Sequence, residues 1–133
     1  GEGRILLTGS IAGFMPGAYQ AVYNATKSYI DSFALALREE LRGSGVTVTC
    51  LMPGPTDTEF FARGGLEDTK LAQVATADPE GVARQGFDAM MKGSGAVVTC
   101  WSTKLQAALA EITPAGLTTR LHGKLAEPGS AKD

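Results

Sequence analysis

Tyr23 and Lys27 stand four residues apart in the stretch "AVYNATKSYIDSFALALREEL". Side chains at that spacing share one face of a helix. A phenol and an ammonium therefore project together from a segment otherwise patterned for burial. A fixed positive charge beside a phenol favours the phenolate, and a tyrosine so placed can trade a proton with an alcohol or carbonyl oxygen. An inert surface pair satisfies the same spacing, so the rest of the chain must decide. Ser10 lies thirteen residues before Tyr23, and the run Pro53-Gly54-Pro55-Thr56-Asp57-Thr58 lies beyond it. Ser10 has a bland reading as a turn former, and Thr58 one as a helix cap.

The elements that must position these groups follow from periodicity. "RILLTGS" is a short apolar run bounded by turn residues, the pattern of a buried parallel strand over 4–9. Gly13, Pro16 and Gly17 then allow the chain to fold back over the strand end. A long helix is expected over 18–42, with Val22, Thr26, Tyr29, Ile30, Phe33, Leu37 and Leu41 at steps of three or four, ended by Gly43 and Gly45. "VTVTCLM" predicts a strand over 46–52, closed by Pro53-Gly54. Strand, helix and strand make a right-handed βαβ unit. Ligands of an open parallel sheet bind at the carboxyl ends of its strands, so Ser10, the Pro53-Gly54 turn and the front of the long helix are expected to face one crevice.

Residues 55–77 read as an irregular, partly helical region carrying Phe60, Phe61 and Leu66. Asp78 caps a helix over 79–92 that has Pro79 in its first turn, and "AVVTCW" predicts a strand over 96–101. A helical tail over 103–126, broken at Pro114, carries apolar stripes (Leu105, Leu109 and Ile112, then Leu117, Leu121 and Leu125), and "EPGSAKD" is expected to be disordered. Tyr19 and Tyr29 are assigned to packing.

Composition narrows the function classes. With 133 residues, 44% hydrophobic and 20% charged, the chain suits one globular domain. A net charge of −2 gives no basic footprint for nucleic acid. Apolar runs are too short to span a bilayer, and Lys104, Arg120 and Lys124 give the tail only a thin basic face for a membrane surface. Cys50 and Cys100 sit in β-branched runs unlike metal or disulfide frameworks, so no metal is expected and a reduced cytoplasmic compartment is the default. His122, the only histidine, is not expected to do chemistry.

Taken as a set, Ser10, Tyr23-x-x-x-Lys27 and the strand ending Pro53-Gly54-Pro55-Thr56-Asp57-Thr58 resemble the short-chain dehydrogenase/reductase family from about Arg4 to Thr58. The resemblance implies an α/β fold, the carboxyl-terminal half of a Rossmann-like doubly wound parallel sheet, and NAD or NADP as cofactor. It implies that Tyr23 is the general acid/base. Lys27 would ease the loss of its proton and hold the nicotinamide ribose, and Ser10 would grip the substrate oxygen. Tyr23, Lys27, Pro53, Gly54, Thr56 and Thr58 would contact the cofactor. The region holding Phe60, Phe61 and Leu66 would be the substrate lid, though core packing is an equal reading.

Nothing in the sequence matches the family's Gly-rich nucleotide-binding turn. Gly9, Gly13 and Gly17 have the wrong spacing for it. The expectation is a catalytic half whose nucleotide-binding half is absent, and which alone binds dinucleotide weakly or not at all. Its first strand would present an open apolar edge, and homo-oligomerisation is expected, with helix 18–42 as the interface. The partner in the reaction would be a small carbonyl or alcohol. The alternatives are a same-fold epimerase or dehydratase, disfavoured by the short tail, and a non-catalytic interaction or assembly module.

Overall fold

A computed structural model describes residues 1–99 and 113–132 of the chain. Three strands, β1 (Gly3–Thr8), β2 (Val46–Met52) and β3 (Ala96–Val98), form a parallel sheet in the order β1-β2-β3. Leu7 pairs with Cys50 across the first ladder, and Cys50 with Ala96 across the second. β2 is central, and its residues 48–52 are all buried, which explains a strand that is apolar or small on both faces rather than alternating. Successive side chains point to opposite faces. Val48, Cys50 and Met52 join Ala34 of helix α1 (Ala21–Glu40) in one core cluster. On the other face Leu51 lies against Gly86 of helix α3 (Pro79–Met91), packed so closely that a β-carbon at residue 86 would collide with it. Helices thus cover both faces of a parallel sheet, the Rossmann-like α/β arrangement.

α1 is shorter than the expected 18–42. Tyr19 has φ of 64°, a left-handed conformation that no helix interior accommodates, so the helix begins only after Gln20. Its far end is closed by a turn in which Gly43 and Gly45 adopt positive φ. The face it buries is also not the expected one. Asn24, Asp31 and Ala34 are buried, whereas Val22 is 81%, Tyr29 68% and Phe33 45% exposed. Polar contacts to the strand ends, described below, turn the helix this way. Tyr29 and Phe33 stack on each other at 5.8 Å instead of entering the core, and Tyr19 is exposed with its hydroxyl donating to Glu127 Oε1.

Between β2 and α3 run a one-turn helix α2 (Phe60–Arg63) and a 3-10 turn (Lys70–Gln73), held down by a parallel bridge between Thr56 and Ala77. Leu66 is buried, which selects core packing for that residue. β3 stops at Val98, and Thr99 leaves the sheet. The expected strand residues 100–101 and tail residues 103–112, including Lys104, Leu105, Leu109 and Ile112, lie outside the described residues. Helix α4 (Ala115–Ala126) starts directly after Pro114. Leu117, Leu121 and Leu125 stay exposed on it, while Thr118 and Ala126 are buried.

Residues 129–131 of the segment expected to be disordered are docked. Gly129 and Ala131 donate their amides to Asp68, and Ser130 Oγ accepts from the Lys70 amide. Composition hid this, because each bond uses backbone or a single hydroxyl. Among the described residues no helix is long and apolar enough to cross a membrane.

Asp78 caps α3 as its position suggests, its Oδ2 accepting from the Gly81 amide at 2.7 Å. Removing such a cap costs about 1 kcal/mol. Asp78→Ala is therefore expected to lower unfolding stability by about 1 kcal/mol in urea, with unchanged circular dichroism. Stability equal to the parent's would show that the cap contributes nothing.

Candidate active site

A cavity of about 790 Å³ opens at the carboxyl ends of β1 and β2. Ser10, Tyr23, Lys27, Pro53, Gly54, Thr56 and Thr58, the whole set singled out in the sequence, border it. β1 delivers Ser10, which is buried and caps the 3-10 turn Ile11–Phe14 by accepting the Ala12 amide at 3.1 Å. Its hydroxyl also donates to the Pro53 carbonyl at 3.4 Å. That length is at the weak end of the range, so the hydroxyl can turn to another acceptor.

α1 delivers Tyr23 and Lys27. The Lys27 ammonium donates to the Thr8 carbonyl at 3.0 Å and lies 5.8 Å from the centroid of the Tyr23 ring. The cation therefore sits beside the phenol, tethered to the end of β1 and directed into the crevice. The Tyr23 ring packs on Phe60 at 4.9 Å, and Phe60 meets Phe61 edge-on. Immediately after Tyr23 in the chain, Asn24 Nδ2 donates to the carbonyls of Ala12 and Met15, both at 3.0 Å. This pins the loop between Ser10 and α1 and explains why a polar residue occupies the buried face.

Past β2, the Thr56 hydroxyl donates to the Gly54 carbonyl at 3.0 Å. Thr58 Oγ1 accepts from the Phe60 amide at 3.3 Å within the turn that leads into α2, whose N-cap position is held by Glu59. Apolar side chains supply much of the remaining wall, among them Ile11, Met15, Phe60, Phe61 and Val82.

His122, from which no chemistry was expected, also borders the cavity. α4 packs on the turn before α1, where His122 Nδ1 meets the Ala18 carbonyl at 3.1 Å. A carbonyl only accepts, so Nδ1 carries the proton and Nε2 is left as an acceptor. Burial holds the imidazole below its ordinary range, and the Ala18 bond opposes this only in part. The sole available signal was its register with Thr118, Leu121 and Leu125 on one helix.

Cys50, under the crevice floor, donates its thiol to Asp31 Oδ1 at 3.4 Å. Burial, and then the Asp31 charge, push that thiol up to about 12. It is inert as a nucleophile near neutrality.

The sequence profile described as short chain dehydrogenase matches residues 1–68, half of the chain. This chain belongs to the short-chain dehydrogenase family. An uncharacterized oxidoreductase of Myxococcus xanthus is 30% identical over 113 residues, which are 85% of this chain and 43% of that protein. A short-chain dehydrogenase from Sphingobium yanoikuyae, solved in complex with NADPH, superposes with a TM-score of 0.65 at 21% identity, over 84% of this chain and 46% of that one. A 3-oxoacyl-[acyl-carrier protein] reductase from Brucella melitensis with bound NAD gives a TM-score of 0.51 at 26% identity, over 71% of this chain and 38% of that one. The short-chain dehydrogenase chain described here thus spans less than half the length of these relatives.

The depressed His122 has a consequence for stability. Its folded affinity for protons lies below the unfolded one, so its contribution is complete above the ordinary histidine value of 6.5 and is lost as pH falls through the folded value. His122→Gln is expected to lose less stability than the parent between neutral pH and about pH 5. Parallel urea stabilities for the two chains across that range would remove His122 as the cause.

Proposed function

We propose that this chain is the catalytic half of an NAD- or NADP-dependent oxidoreductase that interconverts a carbonyl compound and its alcohol. The observation that carries the reading is the meeting of Ser10, Tyr23, Lys27 and the Pro53–Thr58 turn on one cavity. The bound NADPH and NAD of the two relatives support a nicotinamide cofactor. The donor set here suits one. Lys27 keeps two N–H donors after its bond to Thr8, and the turn after β2 offers backbone groups at Pro53, Gly54 and Thr56 beside the Thr58 hydroxyl.

When bound, the cofactor supplies or takes the hydride. The rest falls to side chains. In the reducing direction the Tyr23 hydroxyl gives its proton to the carbonyl oxygen, and in the oxidising direction it takes the alcohol proton. Lys27 stabilises the phenolate left behind and reaches toward the ribose hydroxyls. Ser10 turns its hydroxyl from the Pro53 carbonyl to the reacting oxygen and shares the charge that develops there. Phe60 and Phe61 shield the site from water and favour an apolar substrate.

The test is turnover in the complete enzyme, in which this chain is joined to its nucleotide-binding portion. Tyr23→Phe removes only the hydroxyl and is expected to lower kcat by about 10²–10⁴-fold, with cofactor affinity little changed. Nicotinamide absorbance follows the first quantity and calorimetry the second. A Tyr23→Phe enzyme with parental kcat would exclude the proton-transfer role.

We also propose that the protein self-associates through α1. Its strip of Val22, Tyr29 and Phe33 is apolar and exposed, as an interface between copies requires. Light scattering is expected to give a multiple of the chain mass for the parent and the single-chain mass for Phe33→Glu. A parent that is monomeric at high concentration would rule this surface out.

A further inference from the structure

Asp31 has no part in the proton transfer proposed above, yet it continues the same face of α1, one turn beyond Lys27 and two beyond Tyr23. It is 6% exposed. Its Oδ1 accepts from the Ser10 amide at 3.3 Å and from the Cys50 thiol at 3.4 Å, and Oδ2 has no partner among the described residues. The chain makes room for this carboxyl on both sides of Ser10. A β-carbon at Gly9 would collide with Oδ1, and one at Gly13 with Oδ2.

Burying an incompletely bonded carboxyl costs stability, and packing alone does not call for one. One turn further on, Ala34 seals the helix against Val48, Cys50 and Met52 with a methyl group. What the carboxyl adds is an anchor for one amide. Past the end of β1, the Gly9 and Ile11 amides still bond to the neighbouring stretch of chain, at Leu51 of β2 and at Pro53 just beyond it. The Ser10 amide between them turns toward α1, and Asp31 receives it.

We propose that Asp31 is a positioning residue for the reaction. It locks the Ser10 backbone to the helix that carries Tyr23 and so sets the separation of the two hydroxyls that grip the reacting oxygen. This rests on the hydride-transfer reading of the site. Burial raises the carboxyl above its ordinary range, against the opposing Cys50 and Ser10 hydrogen bonds and the Lys27 charge. The group is thus retained at a cost in stability, as a functional constraint is.

A double-mutant cycle in the complete enzyme, with cofactor, tests the link. Small misplacements of a reacting group cost up to about 10²-fold, so Asp31→Ala is expected to lower kcat by about 10- to 100-fold. The KM for cofactor should hold steady. Asp31→Asn, which keeps an acceptor for the Ser10 amide, should restore most of the loss. In a Ser10→Ala background, Asp31→Ala should add little.

An equal fold-loss with and without the Ser10 hydroxyl overturns the proposal, since general damage to the fold would act alike in both. Should Asp31→Ala fail to fold, amide exchange in the parent decides. A protected Ser10 amide supports the anchor, and exchange at the unprotected rate overturns it. The two readings fail separately. Parental turnover in Tyr23→Phe removes the hydride-transfer reading, whereas an additive cycle in an enzyme that does need Tyr23 and Ser10 removes only the role of Asp31.

Discussion

The contact between α1 and the carboxyl ends of the strands is made by polar groups, and most of the site's geometry depends on it. Lys27 holds the last carbonyl of β1, Asp31 holds the amide of Ser10, and Asn24 holds two carbonyls of the intervening turn. Hydrophobic packing is tolerant of small slides because it lacks direction. Hydrogen bonds from three successive turns of one helix have direction, and together they fix both the rotation of α1 and its height along the strands. Only lower down, where Ala34 meets Val48, Cys50 and Met52, does ordinary apolar burial resume. The division of labour is spatial: oil at the waist of the sheet and polar latches at its rim.

The rotation so imposed explains two features at once. It turns Tyr23 and Lys27 toward the crevice, and it turns Val22, Tyr29 and Phe33 to the outside. An apolar strip on the outer face is therefore the geometric complement of a polar inner face. A helix that presented its greasiest side to its own sheet could not present that site. The crevice lies where the polar latches end and the largely apolar walls from α2, α3 and α4 begin, with Thr118 and His122 as polar groups on the α4 side.

Much of this was legible in the residues because strands and the Tyr–Lys pair obey local rules. β2 was readable from its β-branched run and the Pro-Gly that ends it, and α3 from Asp78 and Pro79. The buried face of α1 was not readable, because periodicity assigns the apolar side inward. Here tertiary polar contacts override that preference, and their partners are backbone atoms, which leave no mark on composition. The start of the helix was misplaced for a related reason: Tyr19 adopts a left-handed conformation usually reserved for glycine or asparagine. His122 and the docked residues 129–131 escaped notice because their significance arises from contacts 60 to 104 positions away along the chain. Asp31 appeared in the sequence as one more acidic residue on a charged helix. Only the glycines folded around it disclose its burial.

The clasp between residues 129–131 and 68–70 has a mechanical implication. It closes a loop of chain that runs from Lys70 to Gly129 and includes α3, β3 and α4, and three hydrogen bonds form the buckle. Within a ring, one link cannot swing outward unless the buckle slips or another link follows. Outward movement of α4, and with it of the cavity wall bearing His122, is therefore geared to the turn at Lys70–Gln73 that the clasp holds.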